Sequence, residues 1–314
     1  MLSLLGGVFL GWSLGANDAA NVFGSAVSSR MVKFWTAAIL ASVFVVLGAV
    51  LEGEAGMHTY KGLTSMNLRY AVIASVAAAL TVTLMTFLGL PVSTSQATVG
   101  AILGIGILTQ DLNFAGFGKV VSCWIGTPIG GAIVAVVLYK LLGHFYNRSA
   151  LSLFQSDALM RTSLIVAGSY GAYALGANNV ANVTGVFVGA GKLTIFMGAL
   201  IGGLSITLGI MTFSRRVMET VGKRLVKLDP YSALIVVLSE AITVHFYTVV
   251  GVPVSTSQAV IGAVLGVGIV KGANTIKKRT LLNILIGWFI TPLIACVAAL
   301  AINFFAGLRY VGVG

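Results

Sequence analysis

One heptapeptide, PVSTSQA, occurs twice without change, at 91–97 and at 253–259. Proline suits the first turn of a helix, where its missing N–H group is not needed. The Ser-Thr-Ser-Gln that follows then occupies the N-terminal turn, where backbone N–H groups are free and the helix dipole is positive. Helix N-termini of this kind bind anions. Each copy therefore predicts an anion site made of neutral donors, although a single copy would equally fit an ordinary helix cap.

A second polar motif is also duplicated: LGANDAANVFG at 14–24 returns as LGANNVANVTG at 175–185. Asn17 and Asn21 are four residues apart and share one face of a helix, with Asp18 beside them. The residue that corresponds to Asp18 in the second copy is Asn179. The two motifs together therefore predict an asymmetric site with a single acid.

The elements that must position these motifs are strongly apolar. Of the 314 residues, 58% are hydrophobic and only 9% are charged, whereas a soluble domain carries about a quarter charged residues. Several apolar runs, such as 34–51 and 68–90, approach the roughly 20 residues that cross a bilayer core. The sequence predicts an all-α polytopic protein of the lipid bilayer. In such a protein, the net charge of +11 matters through the way in which Lys and Arg are distributed between the loops on the two sides of the membrane. We expect no nucleic-acid partner.

Two further blocks repeat in the same order. VGAILGIGI at 99–107 returns as IGAVLGVGI at 261–269, and a Trp-x-x-Thr-Pro element at 124–128 returns at 288–292. Four ordered blocks at offsets of 161 to 164 residues indicate an internal duplication. We predict a first repeat at 1–148, a short cytoplasmic linker at 149–157 and a second repeat at 158–308.

Each repeat is predicted to hold about five membrane elements. They are 2–27, 34–51, 68–90, 92–108 and 115–143 in the first repeat, and 159–186, 193–213, 231–250, 254–270 and 280–306 in the second. The fourth element is short, so it is either a half-helix or a full crossing. Thr127-Pro128 and Thr291-Pro292 are predicted to kink or break the fifth element.

An odd number of crossings per repeat places the two repeats in opposite orientations. Loop charge is an independent test, because cytoplasmic loops are rich in Lys and Arg. The loop at 52–69 holds one Lys and one Arg, whereas its counterpart at 214–229 holds five such residues. Placing 214–229 in the cytoplasm puts 14 of the 19 Lys and Arg there and both termini outside. We predict two inverted-topology repeats with broken or half helices at a midplane site, as in many secondary transporters.

Asp18 is predicted to be functional, because ionisable groups inside a membrane are functional candidates by default. The four repeated blocks contain no Lys or Arg, so hydroxyls, amides and helix dipoles would bind the anion. A carboxylate repels that anion unless a cation or a shared proton intervenes. Asp18 could ligate Na⁺ together with amide oxygens. It could also accept a hydrogen bond from hydrogen phosphate, a donor that sulfate lacks.

The GANDAAN and GANNVAN motifs and the paired PVST segments resemble the signatures of the inorganic phosphate transporter (Pit/PiT) family. The resemblance covers both halves of the chain. It implies a secondary transporter that moves inorganic phosphate with Na⁺ or H⁺ by alternating access. Asn179 departs from the acid often found in the second motif, which leaves the number of coupling cations open. Related permeases carry sulfate, and the short linker is similar to that of prokaryotic members.

The resemblance also implies roles for individual residues. Phosphate contacts are expected from Asp18, Thr94, Ser95, Gln96, Asn179, Thr256, Ser257 and Gln258. Na⁺ ligands or helix-end supports are expected from Asn17, Asp18, Asn21, Ser93, Asn178, Asn182 and Ser255. Na⁺ is the expected coupling ion, and no organic cofactor is expected. We expect the chain in the plasma membrane, with a homodimer as a reasonable assembly.

Residues outside the repeated motifs give weaker predictions. Glu240 corresponds to Ala78 in the first repeat, so it is either a proton or cation site or a packed, hydrogen-bonded side chain. His245 is expected to be structural, and Gly100/Gly104 with Gly262/Gly266 to be packing surfaces. A passive anion channel is an alternative to a transporter. An intramembrane enzyme is disfavoured, because no His/Glu metal cluster, Ser-His pair or paired acids accompany Asp18.

Overall fold

The computed structural model describes residues 2–87, 92–224, 228–272 and 278–311, and these ranges contain eleven α-helices and no strand. Pro91, the first residue of the first heptapeptide, lies outside the described residues. The helices are α1 (Leu5–Ser28), α2 (Phe34–Glu52), α3 (Glu54–Lys61), α4 (Leu68–Phe87), α5 (Thr94–Thr109), α6 (Phe114–Arg148), α7 (Leu153–Gly189), α8 (Ile195–Arg224), α9 (Pro230–Val249), α10 (Thr256–Lys271) and α11 (Lys278–Val311). A 3-10 turn at Leu2–Leu4 precedes α1.

Each of the ten predicted membrane elements corresponds to one helix, and α3 is an additional short helix that the sequence did not predict. Two boundaries differ from expectation. Only residues 149–152 separate α6 from α7. The segment expected as a loop at 214–229 is helical as far as Arg224, because Arg, Lys, Glu and Met are strong helix formers. Arg215 and Glu219 also form an i,i+4 ion pair of 3.2 Å there.

Six helices in the described ranges are long and apolar enough to cross a membrane: α2, α4, α6, α8, α9 and α11. The helices with the polar motifs, α1 and α7, are not among these six. The heptapeptide helices α5 and α10 have 16 residues each, or about 24 Å at 1.5 Å per residue, which is shorter than the roughly 30 Å bilayer core. The protein is a multi-pass membrane protein whose motif helices are either less apolar or shorter than its six candidate spans.

The two halves interlock through reciprocal helix pairs: α1 packs along α8, and α2 packs along α7. Glycines set the closest approach in both pairs. Gly15 lies against the Ile206 carbonyl, and its counterpart Gly176 lies against the Val45 carbonyl. Because any side chain at these glycines would collide with the backbone, the interhelical distance depends on their lack of a Cβ atom.

The same exchange joins α5 to α11 and α10 to α6. Gly100 lies against the Pro292 carbonyl, and Gly262 lies against the Pro128 carbonyl, as expected for packing surfaces. We predicted a kink or a break at these prolines, and both helices continue through the proline without a break. Next to Pro128, the Thr127 hydroxyl donates to the Cys123 carbonyl, one turn earlier in α6, at 2.6 Å.

The equivalent helices α1 and α7 cross each other in opposite directions. Gly7, near the start of α1, lies against Phe187, near the end of α7; Phe23, near the end of α1, lies against Gly168. Reciprocal contacts and antiparallel equivalent helices are the arrangement that an inverted repeat requires.

Helix α3 marks a difference between the two halves. In the first half, α2 ends at Glu52, and α3 begins after the single residue Gly53 and packs on α7. The corresponding part of the second half is the uninterrupted end of α8. Met57 of α3 lies beside Gly185, and the corresponding Met218 of α8 lies beside Gly24. A helix segment therefore lies beside each polar motif, and it is interrupted only in the first half.

Candidate functional site

The first motif contacts the second heptapeptide. Thr256, the first residue of α10, donates from Oγ1 to the Asp18 carboxylate at 3.2 Å. The Asn21 amide donates to the hydroxyls of Thr256 and Ser257 at 3.2 and 3.3 Å. Asn17 donates to the other Asp18 oxygen at 3.0 Å. Asp18, Asn21, Thr256 and Ser257 form what we call the α1–α10 half-site.

The second motif contacts the first heptapeptide in the same way. The Asn182 amide donates to Ser95 Oγ at 3.1 Å and to Asn179 Oδ1 at 2.7 Å. The Ser95 hydroxyl lies 3.4 Å from the same Asn179 oxygen. Thr94, Ser95, Asn179 and Asn182 form the α7–α5 half-site. The contact from Asn182 to Ser95 is the counterpart of the contact from Asn21 to Ser257.

The two heptapeptide helix ends meet. Ser93 and Ser255 are the N-caps of α5 and α10, and each hydroxyl accepts from the N–H of the glutamine three residues later at 3.3 Å. The helices therefore begin at the threonine. The sequence predicted proline in the first turn, but Pro253 lies three residues before α10. Ser95 Oγ donates to the Val254 carbonyl at 2.7 Å, which joins the two helix ends.

Asn178 fixes the segment that enters α10. Its Oδ1 accepts from the Val254 N–H at 2.9 Å, and its Nδ2 donates to Thr248 Oγ1 at 3.1 Å. Side chains that bond to backbone in this way position the loop between α9 and α10. Asn178, Ser93 and Ser255, which were expected as Na⁺ ligands or supports, thus make support contacts in this structure.

Four buried polar atoms around the helix ends have no hydrogen-bond partner. They are Thr94 Oγ1, Gln96 Oε1, Gln258 Oε1 and Asn179 Nδ2. An unpaired buried polar atom costs about 1–3 kcal/mol, so a cluster of four is unusual in a settled core. These atoms are suited to contact a polar ligand between the two half-sites.

The electrostatics of the site depend on one acid. Asp18 is 3% exposed and is the only residue with an ionisable side chain in the two half-sites. No group of three His, Cys, Asp or Glu side chains suited to a metal occurs in the described ranges. The free N–H groups and dipoles of α5 and α10 supply the positive potential at the helix ends.

The two half-sites differ in exposure. Thr94, Ser95, Asn179 and Asn182 are all buried. In the α1–α10 half-site, Asp18 and Thr256 are buried, whereas Asn21 and Ser257 are partly exposed, as is the neighbouring Asn17. The α7–α5 half-site is therefore the more buried of the two.

A family model for the phosphate transporter family matches residues 14–299 of this chain. The match includes both polar motifs and both heptapeptides. The chain belongs to the phosphate transporter family. The expected resemblance is thereby confirmed.

Individual relatives extend across nearly the whole chain. A protein of Methanocaldococcus jannaschii named "Putative phosphate permease MJ0630" is 31% identical over 302 residues, which cover 96% of both chains. The sulfate permease CysP of Bacillus subtilis is 30% identical over 301 residues, covering 94% of this chain and 84% of that protein. A solved structure, "The sodium-dependent phosphate transporter", superposes with a TM-score of 0.88 at 24% identity over 98% of both chains, which shows that the fold is shared.

In this phosphate transporter family member, Tyr60 is a site residue that the sequence did not indicate. It lies on α3, it is buried, and its hydroxyl donates to Asn182 Oδ1. The neighbouring Thr59 hydroxyl donates to the Gly251 carbonyl in the α9–α10 connection. A single tyrosine in a segment predicted to be a loop forms no repeated motif that would indicate a site. Only the position of α3 in the structure identifies it.

Glu240 and His245 lie outside the two half-sites. Glu240 is fully buried, and neither carboxyl oxygen has a hydrogen-bond partner, so the hydrogen-bonded alternative expected for this side chain is wrong. His245 Nε2 bonds to Glu52 Oε2 at 2.7 Å, and its Nδ1 bonds to the Tyr170 hydroxyl at 2.7 Å. His245 thus links α9 to α2 and α7.

Proposed function

We propose that this chain is a secondary active transporter that imports inorganic phosphate together with Na⁺ by alternating access, and that it is not an enzyme. Family membership and the sodium-dependent phosphate transporter with the same fold support this proposal. Phosphate is held between the N-termini of α5 and α10. Its contacts are Asp18, Thr94, Ser95, Gln96, Asn179, Thr256, Ser257 and Gln258.

The observation that carries the proposal is a single buried carboxylate beside unpaired neutral polar atoms. Hydroxyls and free N–H groups donate to phosphate oxygens. Asp18 and the unpartnered Gln96 and Gln258 oxygens are acceptors, which match the O–H of hydrogen phosphate. Fully deprotonated sulfate offers no such donor, and a site left with unpaired acceptors discriminates strongly against it.

Na⁺ provides the charge that lets an anion lie near Asp18. The expected ligand set is Asn17, Asp18, Asn21, Ser93, Asn178, Asn182 and Ser255. Within that set we assign Na⁺ to Asp18 with the amide oxygens of Asn17 and Asn21, because both amides donate through nitrogen and keep their oxygens for a hard cation. Asn178, Ser93 and Ser255 support the helix ends.

Loop charge orients the transporter. We propose inverted repeats in the plasma membrane with both termini outside, so that α3 lies on the extracytoplasmic side. Since α3 covers the buried α7–α5 half-site, this conformer is closed to the outside. Access from the cytoplasm is by way of the partly exposed Asn17, Asn21 and Ser257.

Sulfate transport is the second candidate, because the 30% identical CysP is a sulfate permease. Uptake of labelled phosphate into proteoliposomes decides between the candidates, with an inward Na⁺ gradient, an inward proton gradient or neither, and with sulfate as competitor. We expect uptake that depends on the Na⁺ gradient and that excess sulfate leaves unchanged. Uptake driven only by the proton gradient would show that the coupling ion is H⁺ and not Na⁺. Competition by sulfate would show that the site does not exclude sulfate.

A passive channel predicts phosphate flux without either gradient and at rates far above those of a transporter. The same proteoliposomes test this alternative, because accumulation against a phosphate gradient requires coupling. No phosphate uptake under any gradient would overturn the proposed function. A homodimer remains an expectation, for which cross-linking in the membrane is the measurement.

A further inference from the structure

Glu240 is a buried acid that the phosphate site does not use. It lies in the middle of α9, it is 0% exposed, and both of its carboxyl oxygens lack hydrogen-bond partners. Its Oε2 lies against Gly171 of α7, where Val22 of α1 also packs. Glu240 therefore occupies the junction of three helices, next to both motif helices.

The groups that face Glu240 come from several helices. From α1, Asp18 acts on it electrostatically and lies one helical turn from Val22, without a hydrogen bond between the two acids. From α7, the Tyr170 ring is within electrostatic range. On α9 itself, the next titratable residue is His245. The faces of α6 and α10 that pack on α9 bring no charged group that acts on Glu240.

An ionised Glu240 would be unstable in these surroundings. A buried carboxylate without a cation or donor is strongly destabilised by the loss of hydration, and an ionised Asp18 adds like-charge repulsion. A sodium ion needs several oxygen ligands, but no hydroxyl or amide of the described residues bonds to either Glu240 carboxyl oxygen. A proton neutralises the carboxyl without any further ligand.

We propose that Glu240 is a proton-binding site linked to Asp18, so that a cation bound at Asp18 releases the proton from Glu240. The link rests on the proposed function, because it takes Asp18 to be the Na⁺ ligand. Asp18 and Glu240 avoid carrying two negative charges together when no cation is present. Once Na⁺ neutralises Asp18, the cost of ionising Glu240 falls.

A hydrogen-bonded chain connects this region to a solvent-accessible cavity. His245 accepts from the Tyr170 hydroxyl at Nδ1 when Nε2–H donates to Glu52. The Glu52 side chain is 37% exposed and lines the cavity together with Glu54, His58 and Thr248. Glu52 is thus the acceptor nearest to solvent in this chain, and Tyr170, at its other end, precedes the Gly171 against which Glu240 lies. The chain stops short of Glu240, whose carboxyl oxygens have no hydrogen-bond partner.

Linkage fixes the sign of the pH effect. Ionised Glu240 attracts Na⁺ to Asp18, so Na⁺ binds more tightly as the pH rises through the titration of Glu240. By reciprocity, Na⁺ makes Glu240 a stronger acid by the same factor. We expect a factor of about 5 or more between the protonated and ionised states, the lower end of typical coupling between sites.

Infrared difference spectroscopy of purified protein tests the proton site without transport. We expect a protonated-carboxyl carbonyl band in Na⁺-free buffer that Glu240→Gln removes and that Glu219→Gln, a change at an exposed ion-paired acid, retains. Glu240→Ala is the second variant, since the first repeat has buried Ala78 at the equivalent position. A spectrum unchanged in both folded Glu240 variants would overturn the proposal.

Proton release on adding Na⁺, followed with a pH indicator in weak buffer, tests the link. Release by wild type and Glu219→Gln, with none from Glu240→Gln, supports it. Equal release from all three proteins would overturn it. Failure of the proposed function can be told apart from failure of the proton site. A protein that takes up no phosphate but keeps a Glu240-dependent carboxyl band would contradict the proposed function and leave the proton site standing.

Discussion

The α1–α10 and α7–α5 half-sites are built from the same motifs but are not bonded alike. In the first, Thr256 donates to Asp18. In the second, the corresponding pair is Thr94 and Asn179, and Thr94 Oγ1 and Asn179 Nδ2 both remain unpartnered. Replacing one carboxylate oxygen by an amide nitrogen thus removes an acceptor that the threonine would use. The duplicated scaffold holds one charged half-site and one neutral half-site.

Helix α3 adds to this difference. It brings Tyr60 to Asn182, whereas the equivalent Asn21 has no tyrosine partner and is partly exposed. The two half-sites thus share their motifs but differ at a few positions. We interpret the charged half-site as the cation side and the neutral half-site as a fixed support for phosphate.

The largest expected effect comes from removing the one acid. Asp18→Asn makes the motifs alike, keeps the side-chain size and removes the charge that balances Na⁺. Hydrogen bonds to charged groups contribute about 1.5–3 kcal/mol, so we expect Na⁺-dependent phosphate uptake to fall about 10- to 150-fold, at 1.4 kcal/mol per tenfold change. Initial rates in proteoliposomes, normalised to protein content, measure the change.

The matched control moves the acid to the other half-site. Asp18→Asn combined with Asn179→Asp keeps the number of charges but places the acid on the buried side. Wild-type uptake by this double variant would show that the half-sites are interchangeable. That result would contradict the assignment of Na⁺ to the α1–α10 half-site.

Adding an acid alone sharpens the same comparison. In Asn179→Asp, the amide nitrogen without a partner becomes an oxygen that can accept from Thr94, as Asp18 accepts from Thr256. We expect a second cation to bind, which makes uptake steeper in Na⁺ and lowers phosphate affinity about 10-fold when Na⁺ is scarce, equivalent to 1.4 kcal/mol. Phosphate uptake measured across Na⁺ concentrations gives both quantities. An unchanged Na⁺ dependence would contradict this prediction.

The sequence predicted the helices and the motif pairing well, because both depend on local patterns. Apolar runs located the membrane elements, and identical heptapeptides indicated that two helix ends meet, as the Ser95 contact with Val254 shows. Tyr60 could not be found this way, since the segment that contains it was predicted to be a loop. At the prolines we predicted a kink or a break, and the break does not occur in α6, which packs on α10 and continues through Pro128.

Tyr60 offers a smaller test of the neutral half-site. Tyr60→Phe keeps the buried ring but leaves Asn182 Oδ1 without its donor, and an unpaired buried acceptor costs about 1–3 kcal/mol. Part of this cost falls on the fold, so we expect the phosphate KM to rise about 5-fold, or 1 kcal/mol, with little change in kcat. Tyr70→Phe, in the first turn of α4, is the control. A kcat loss with unchanged KM would contradict a positioning role.

The smallest effect concerns a pair of helix caps. Asn67 accepts from the Tyr70 N–H at the start of α4, and Asp229 accepts from the Ser232 N–H at the start of α9, each at 2.9 Å. Partial burial would raise the pKa of Asp229, but hydrogen bonds from Lys271 and Ser232 hold that pKa below its usual value. Of these two caps, only Asp229 has a side chain that titrates.

The sign of this pH dependence follows from the lowered pKa. Asp229 stabilises the fold above the unfolded-state pKa of about 3.9, and that contribution is lost as the pH falls through the lower folded-state pKa. Because the side chain is partly exposed, we expect no more than about 1 kcal/mol. Asp229→Asn copies the Asn67 cap, so it should lower the Tm near pH 7 but not near pH 3. An equal Tm decrease at both pH values would show that the Asp229 charge contributes nothing to the cap.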